Sequence, residues 1–105
     1  MIEQQTIRKA VNLLLKAAPG SKVILFGSCA RGDAREQSDL DFLVVEPSVD
    51  NPHAEMVRLR KALRPLGVPA DVLVTTAETF EQWRDTPNTV IHEAAAEGKV
   101  YEQVS

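Results

Sequence analysis

Apolar residues recur at Ile7, Ala10, Val11 and Leu14, the i, i+3, i+4, i+7 spacing of one helix face. Residues 3 to 17 are therefore expected to form an amphipathic helix that Pro19 and Gly20 end. The period then changes. KVILFG, residues 22 to 27, is a short unbroken apolar run closed by glycine, the pattern of a strand covered on both faces. After a polar stretch, DLDFLVVE at 39 to 46 is rich in β-branched and aromatic residues and predicts a second strand ended by Pro47. Asn51 and Pro52 form an N-cap and first-turn pair. Met56, Leu59, Leu63 and Leu66 follow at helical spacing as far as Gly67, which predicts one helix over that span. VPADVLVTT supplies a third strand, with Pro69 confined to its start because proline cannot donate to a ladder. Thr75 and Glu78 match a capping box opening a short helix that carries Phe80 and Trp83, and Pro87 breaks it. A last helix over about residues 88 to 97 ends at Gly98, and KVYE at 99 to 102 predicts a short edge strand.

The order α-β-β-α-β-α-α-β contains no internal repeat. Two strands adjacent in sequence and a third returning after a helix point to an α+β fold, a small mixed sheet with helices packed mainly on one face. A chain of 105 residues fits one domain, 1–105, by surface-to-volume scaling, and 44% hydrophobic with 26% charged residues is ordinary for a folded globular protein. A net charge of −3 gives no general attraction for polyphosphate backbones, so long nucleic acid is an unlikely partner. Cys29 has no second cysteine to pair with. With no apolar stretch near the roughly 20 residues of a membrane span and no signal-peptide pattern, the expected location is cytoplasmic.

The chemistry concentrates in LFGSCARGDAREQSDLDFLVVEP, residues 25 to 47. Side chains alternate across a strand, so Asp39 and Asp41 point one way and Leu40, Phe42 and Val44 the other. Their Cα atoms should lie roughly 6 to 7 Å apart, near enough for both carboxylates to converge on one or two small cations. Such a pair repels unless neutralised, and Mg²⁺ with its preference for oxygen ligands answers that need. If the strand carrying Asp71 lies beside this one, Asp71 reaches the same corner, and three carboxylates suit a two-metal site for in-line displacement. Gly27 lets backbone approach a ligand, Ser28 adds a hydroxyl, and the turn's N–H groups favour an anion. Gly27 and Gly32 have P-loop spacing, but Asp33 and Ala34 stand where Lys and Ser or Thr are required, so this is no Walker A motif.

Gly27-Ser28, ten intervening residues, Asp39-Leu40-Asp41 and a later strand aspartate at Asp71 resemble the minimal nucleotidyltransferases of the DNA polymerase beta superfamily, over nearly the whole chain. The resemblance implies the nucleotidyltransferase fold, with Asp39, Asp41 and Asp71 as Mg²⁺ ligands and Asp71 as acceptor of the hydroxyl proton. Gly27 and Ser28 would hold the triphosphate of ATP. It also implies transfer of AMP to a hydroxyl, with a tyrosine of a helical HEPN-type toxin as acceptor and this chain as antitoxin, in a hetero-oligomer or homo-dimer. The alternative is an antitoxin without catalysis that masks its partner.

Blander readings stand beside these. Arg31 suits either a phosphate contact or an ion pair with Asp33 or a nearby glutamate, and Asp71 either ligates metal or caps a turn. His53 and His92 fall outside any ligand spacing. Cys29 lacks a histidine nearby in sequence and reads as a packing residue. Phe80 and Trp83 read as core or interface, and Tyr101 as edge-strand packing.

Overall fold

The computed structural model describes residues 4–27, 40–67 and 70–102. Helix α1, Gln4–Ala17, buries Ile7, Ala10, Val11, Leu14 and Leu15, the stripe that its spacing predicts. Strands β1, Lys22–Phe26, and β2, Leu40–Glu46, follow. Helix α2, Pro52–Ala62, starts at Asn51, whose side-chain oxygen accepts from the Ala54 N–H at 3.1 Å.

The apolar spacing predicts that α2 runs on to Gly67, but the α-helix stops at Ala62 and a 3₁₀ turn spans Arg64–Leu66. Pro65 is the cause, since it has no N–H to bond the carbonyl four residues back. Leu63 remains buried in the core across the change of helix type.

Strand β3 is Ala70–Thr76, and helix α3 is Ala77–Trp83. The cap of α3 is Thr76, whose hydroxyl accepts from the Thr79 N–H at 3.1 Å, not Thr75 as the capping-box match implies. Thr75 is buried within β3, whereas Thr76 is the strand's last residue and both closes the ladder and caps the helix, so the helix starts one residue later. Helix α4, Val90–Glu97, and strand β4, Lys99–Glu102, complete the order. Gly98 between them has ordinary extended backbone. A Cβ there would overlap the Ala94 carbonyl oxygen and the Ile24 side chain, so glycine is required by close packing.

The sheet order is β3-β2-β1-β4, with β1 antiparallel to both β2 and β4 and β2 parallel to β3. Both faces are covered, which explains the unbroken apolar runs. The larger core packs α1 and α2 on one face, with Val23, Leu25, Leu40, Phe42, Val44 and Val72 from the strands. On the other face Ile24, Phe26, Leu43 and Val45 meet Ala94, Phe80 and Ile91 from α3 and α4. Tyr101 packs against the larger core, and Trp83 is exposed.

One buried carboxyl interrupts the apolar pattern. Glu46, last in β2, is 8% exposed, and its Oε2 has no hydrogen-bond partner. Burial chiefly, then its hydrogen bond and repulsion with Glu55, push its pKa up to about 7 against the pull of Arg58. Glu55 is held below the usual carboxylate range, mainly by Arg58, whose Nε and second guanidinium nitrogen donate to it at 2.5 and 2.9 Å. Between the unfolded value of 4.5 and about 7, folded Glu46 keeps a proton that the unfolded chain has released. Stability should therefore fall as pH rises through that window, by up to roughly 3 kcal/mol at 1.36 kcal/mol per pH unit, and level off above it. The contribution of Glu55 has the opposite sign and is lost only below the unfolded carboxylate range. Urea midpoints at pH 5 and pH 8 check this: Glu46→Gln should flatten the slope and stabilise the fold at pH 8. A slope that survives the substitution assigns it to other groups.

Candidate active site

Three predicted site residues fall within the described residues, and all three sit at one end of the sheet. Asp41 is the second residue of β2, and Asp71 is the second residue of β3. The parallel register pairs Asp41 with Asp71 directly. Paired residues on neighbouring strands face the same way, about 4.8 Å apart along the hydrogen-bonding direction, so both carboxylates rise from one corner of one face. On β1 the antiparallel register sets Phe26 opposite Asp41, which brings Gly27 to the same corner. The face is that of Leu43, Leu73 and the α3–α4 cover. The apolar cover closes over Leu43, leaving Asp41 half-buried and Asp71 exposed.

Gly27 has φ of 78°, a left-handed conformation that side chains disfavour, and a Cβ there would lie 2.8 Å from Asp41 Oδ2. Glycine at this position thus lets the Asp41 carboxylate approach the backbone of the turn. The two registers thus bring Asp71, Asp41 and Gly27 to one corner of the sheet.

Ser28, Arg31 and Asp39 lie outside the described residues, as do Cys29 and Asp33. Among the described residues no group of three or more His, Cys, Asp or Glu converges as a metal site. The donor chemistry of the pair nevertheless fits Mg²⁺: two carboxylates from adjacent strands offer hard oxygen ligands, and such ions commonly use one or two carboxylates plus substrate phosphates.

Asp71 has a partner that its sequence surroundings do not announce. Arg60 of α2 donates from its guanidinium to Asp71 Oδ1, and both side chains are about half exposed, at 48% and 52%. Arg60 follows Leu59, the buried residue of α2 that fixes the helix on the sheet. Nothing in the spacing marks it out from Arg58, Lys61 or Arg64. His92 takes a structural role, its Nδ1 donating to the Arg84 carbonyl at 2.8 Å, and His53 is exposed on α2.

Comparison with known proteins places these features in a wider set. The nucleotidyltransferase domain family matches residues 5–97. A Methanocaldococcus jannaschii protein, by name a protein adenylyltransferase, is 38% identical over 84 residues, covering 78% of this chain and 82% of the relative. Among solved structures, a toxin–antitoxin complex with AMP-PNP aligns with a TM-score of 0.66 at 20% identity, over 97% of this chain and 75% of that one. A complex of tri-AMPylated Shewanella oneidensis HEPN toxin with MNT antitoxin aligns at 0.64 and 18% identity, over 97% and 74%. At these identities the structural likeness speaks for the fold. Among the described residues no helix is long and apolar enough to cross a membrane.

Proposed function

The chain belongs to the nucleotidyltransferase domain family and is an enzyme of that type, and on that premise we propose that it moves AMP from ATP to a tyrosine hydroxyl on a HEPN-type partner protein, as the antitoxin of a toxin–antitoxin pair. The observation that carries this reading is the in-register pair Asp41 and Asp71 beside Gly27. The adenylyltransferase name of the M. jannaschii relative supports a protein as acceptor, and the complexes that share the fold support a toxin as partner.

Asp41 and Asp71, with Asp39, would hold Mg²⁺, and three carboxylates suit two ions. When bound, the metal offsets the negative charge of the triphosphate and of the oxygens that gain charge in the displacement. The residues of the chain do the positioning. Gly27 and Ser28 cradle the phosphates with backbone N–H groups and a hydroxyl, and Arg31 adds a planar cation. The acceptor oxygen bonds to the α-phosphorus as the bond to the β-phosphate's bridging oxygen breaks. Pyrophosphate leaves with that electron pair, and the hydroxyl proton passes to the Asp71 carboxylate. No covalent enzyme intermediate is required, so the rate rests on alignment and charge neutralisation.

Intact-mass spectrometry tests the proposal. The chain, ATP, Mg²⁺ and the protein encoded by the adjacent gene should yield that protein with added AMP. Tight binding with no adduct under any metal or nucleotide would assign the chain to masking alone.

Gly27→Ala probes the corner from the other side. The alanine must adopt a left-handed backbone, which costs about 1 to 2 kcal/mol, and its methyl crowds Asp41 Oδ2. A displacement near 1 Å at a reacting centre costs about 10²-fold in rate. The variant should therefore stay folded and lose about that factor in initial velocity, and a variant of normal velocity would separate the glycine bend from the chemistry.

A further inference from the structure

The Arg60–Asp71 contact crosses the sheet edge. Helix α2 packs on the face opposite Asp71, and Arg60 reaches that carboxylate because β3 is the outermost strand on its side. Its neighbour on the helix, Arg58, is fully engaged: two nitrogens donate to Glu55, and a third donates to the Ala17 carbonyl at 2.8 Å. Arg60 instead offers one guanidinium nitrogen to one carboxylate oxygen, with both side chains about half in water. An exposed single-contact ion pair is weak and readily exchanged. A divalent cation brings twice the charge to the same oxygen and draws on Asp41 as well, so it competes with Arg60 directly.

We infer that Arg60 is a positioning residue that occupies the Asp71 carboxylate until a divalent cation displaces it, and so sets the cation concentration at which the site assembles. Without the cation, the guanidinium also relieves the repulsion between Asp41 and Asp71, which the register places side by side. The inference rests on the proposed role of Asp71 as a metal ligand.

Mn²⁺ serves as the probe, because its oxygen-ligand chemistry matches that of Mg²⁺ and its free ion is counted by electron paramagnetic resonance. Titrations of the full-length chain compare wild type, Arg60→Gln, Arg60→Lys and Asp71→Asn, each checked for cooperative melting without metal. Arg60→Gln removes the competitor and should tighten Mn²⁺ binding by roughly threefold to fivefold, the scale of an exposed ion pair. Arg60→Lys, which keeps the charge but not the fork, should fall between Arg60→Gln and wild type. Unchanged or weaker binding in Arg60→Gln, with binding lost in Asp71→Asn, overturns the role of Arg60 and leaves the site intact; a scaffolding role would give that weakening. Wild-type affinity in Asp71→Asn overturns the metal-ligand reading itself.

Discussion

Asp41→Asn should lower nucleotidyl transfer by about 10³-fold and leave the fold intact. Asn has nearly the shape of Asp, so the close approach to Gly27 is preserved and only the charge is lost. That charge is what a divalent cation needs at this corner. Metal-ion stabilisation of a transition state is worth several kcal/mol, and about 4 kcal/mol corresponds to about 10³ in rate. Because Asn keeps the side-chain volume at this half-buried position, the variant should still melt cooperatively. Radiolabelled AMP incorporation measures the first effect and thermal melting the second. A variant within tenfold of wild-type rate would take Asp41 out of the chemistry. The same loss with a collapsed melting temperature would instead make it a structural residue.

Phe42→Ala should destabilise the protein by about 3 to 5 kcal/mol, a large part of the 5 to 15 kcal/mol by which a domain is normally stable. Phe42 is fully buried and heads the largest buried side chains of the core. It lies on β2 between Leu25 of β1 and Val72 of β3, the strand partners that the register gives it, in the cluster under α1 and α2. Truncation removes an aromatic ring from the middle of three strands, where neighbours held by ladder hydrogen bonds relax little, so most of the cavity should persist. Phe42 is also the residue after Asp41, so loosening β2 there disturbs the register that sets Asp41 beside Asp71. Denaturant midpoints at constant m-value read the effect. A loss below 1 kcal/mol would mean that the core does not close around this ring.

The elements were legible from periodicity because each is dictated by contacts within a few residues. Ile7 to Leu14 announce α1, KVILF announces β1, and the Asn51-Pro52 pair announces the start of α2. Where the structure departs from the periodicity, two local preferences compete, and pattern alone does not weigh them. Leu63 and Leu66 carry the helical spacing past Pro65, whose missing N–H turns that stretch into 3₁₀ helix. Thr75 and Thr76 are both competent caps, but the first is buried inside β3 and the second, the last residue of the strand, takes the helix. Glu46 looks like the polar end of a strand, yet it lies buried against Glu55 because α2 folds back over that end of β2.

By itself, the sequence determined which segments are helix or strand, that Asp41 faces away from Phe42, and that a glycine ends β1, because these follow from side-chain size, alternation and backbone freedom. Only the tertiary structure decided that β3 lies parallel to β2 with Asp71 in register with Asp41. The same is true of the Gly27 backbone against the Asp41 carboxylate and of the reach of Arg60 around the sheet edge to Asp71. The physical reason is distance along the chain: strand register and cross-edge ion pairs are set by how the two helical layers bury their apolar faces on the sheet, a sum over many contacts that no short stretch of residues contains.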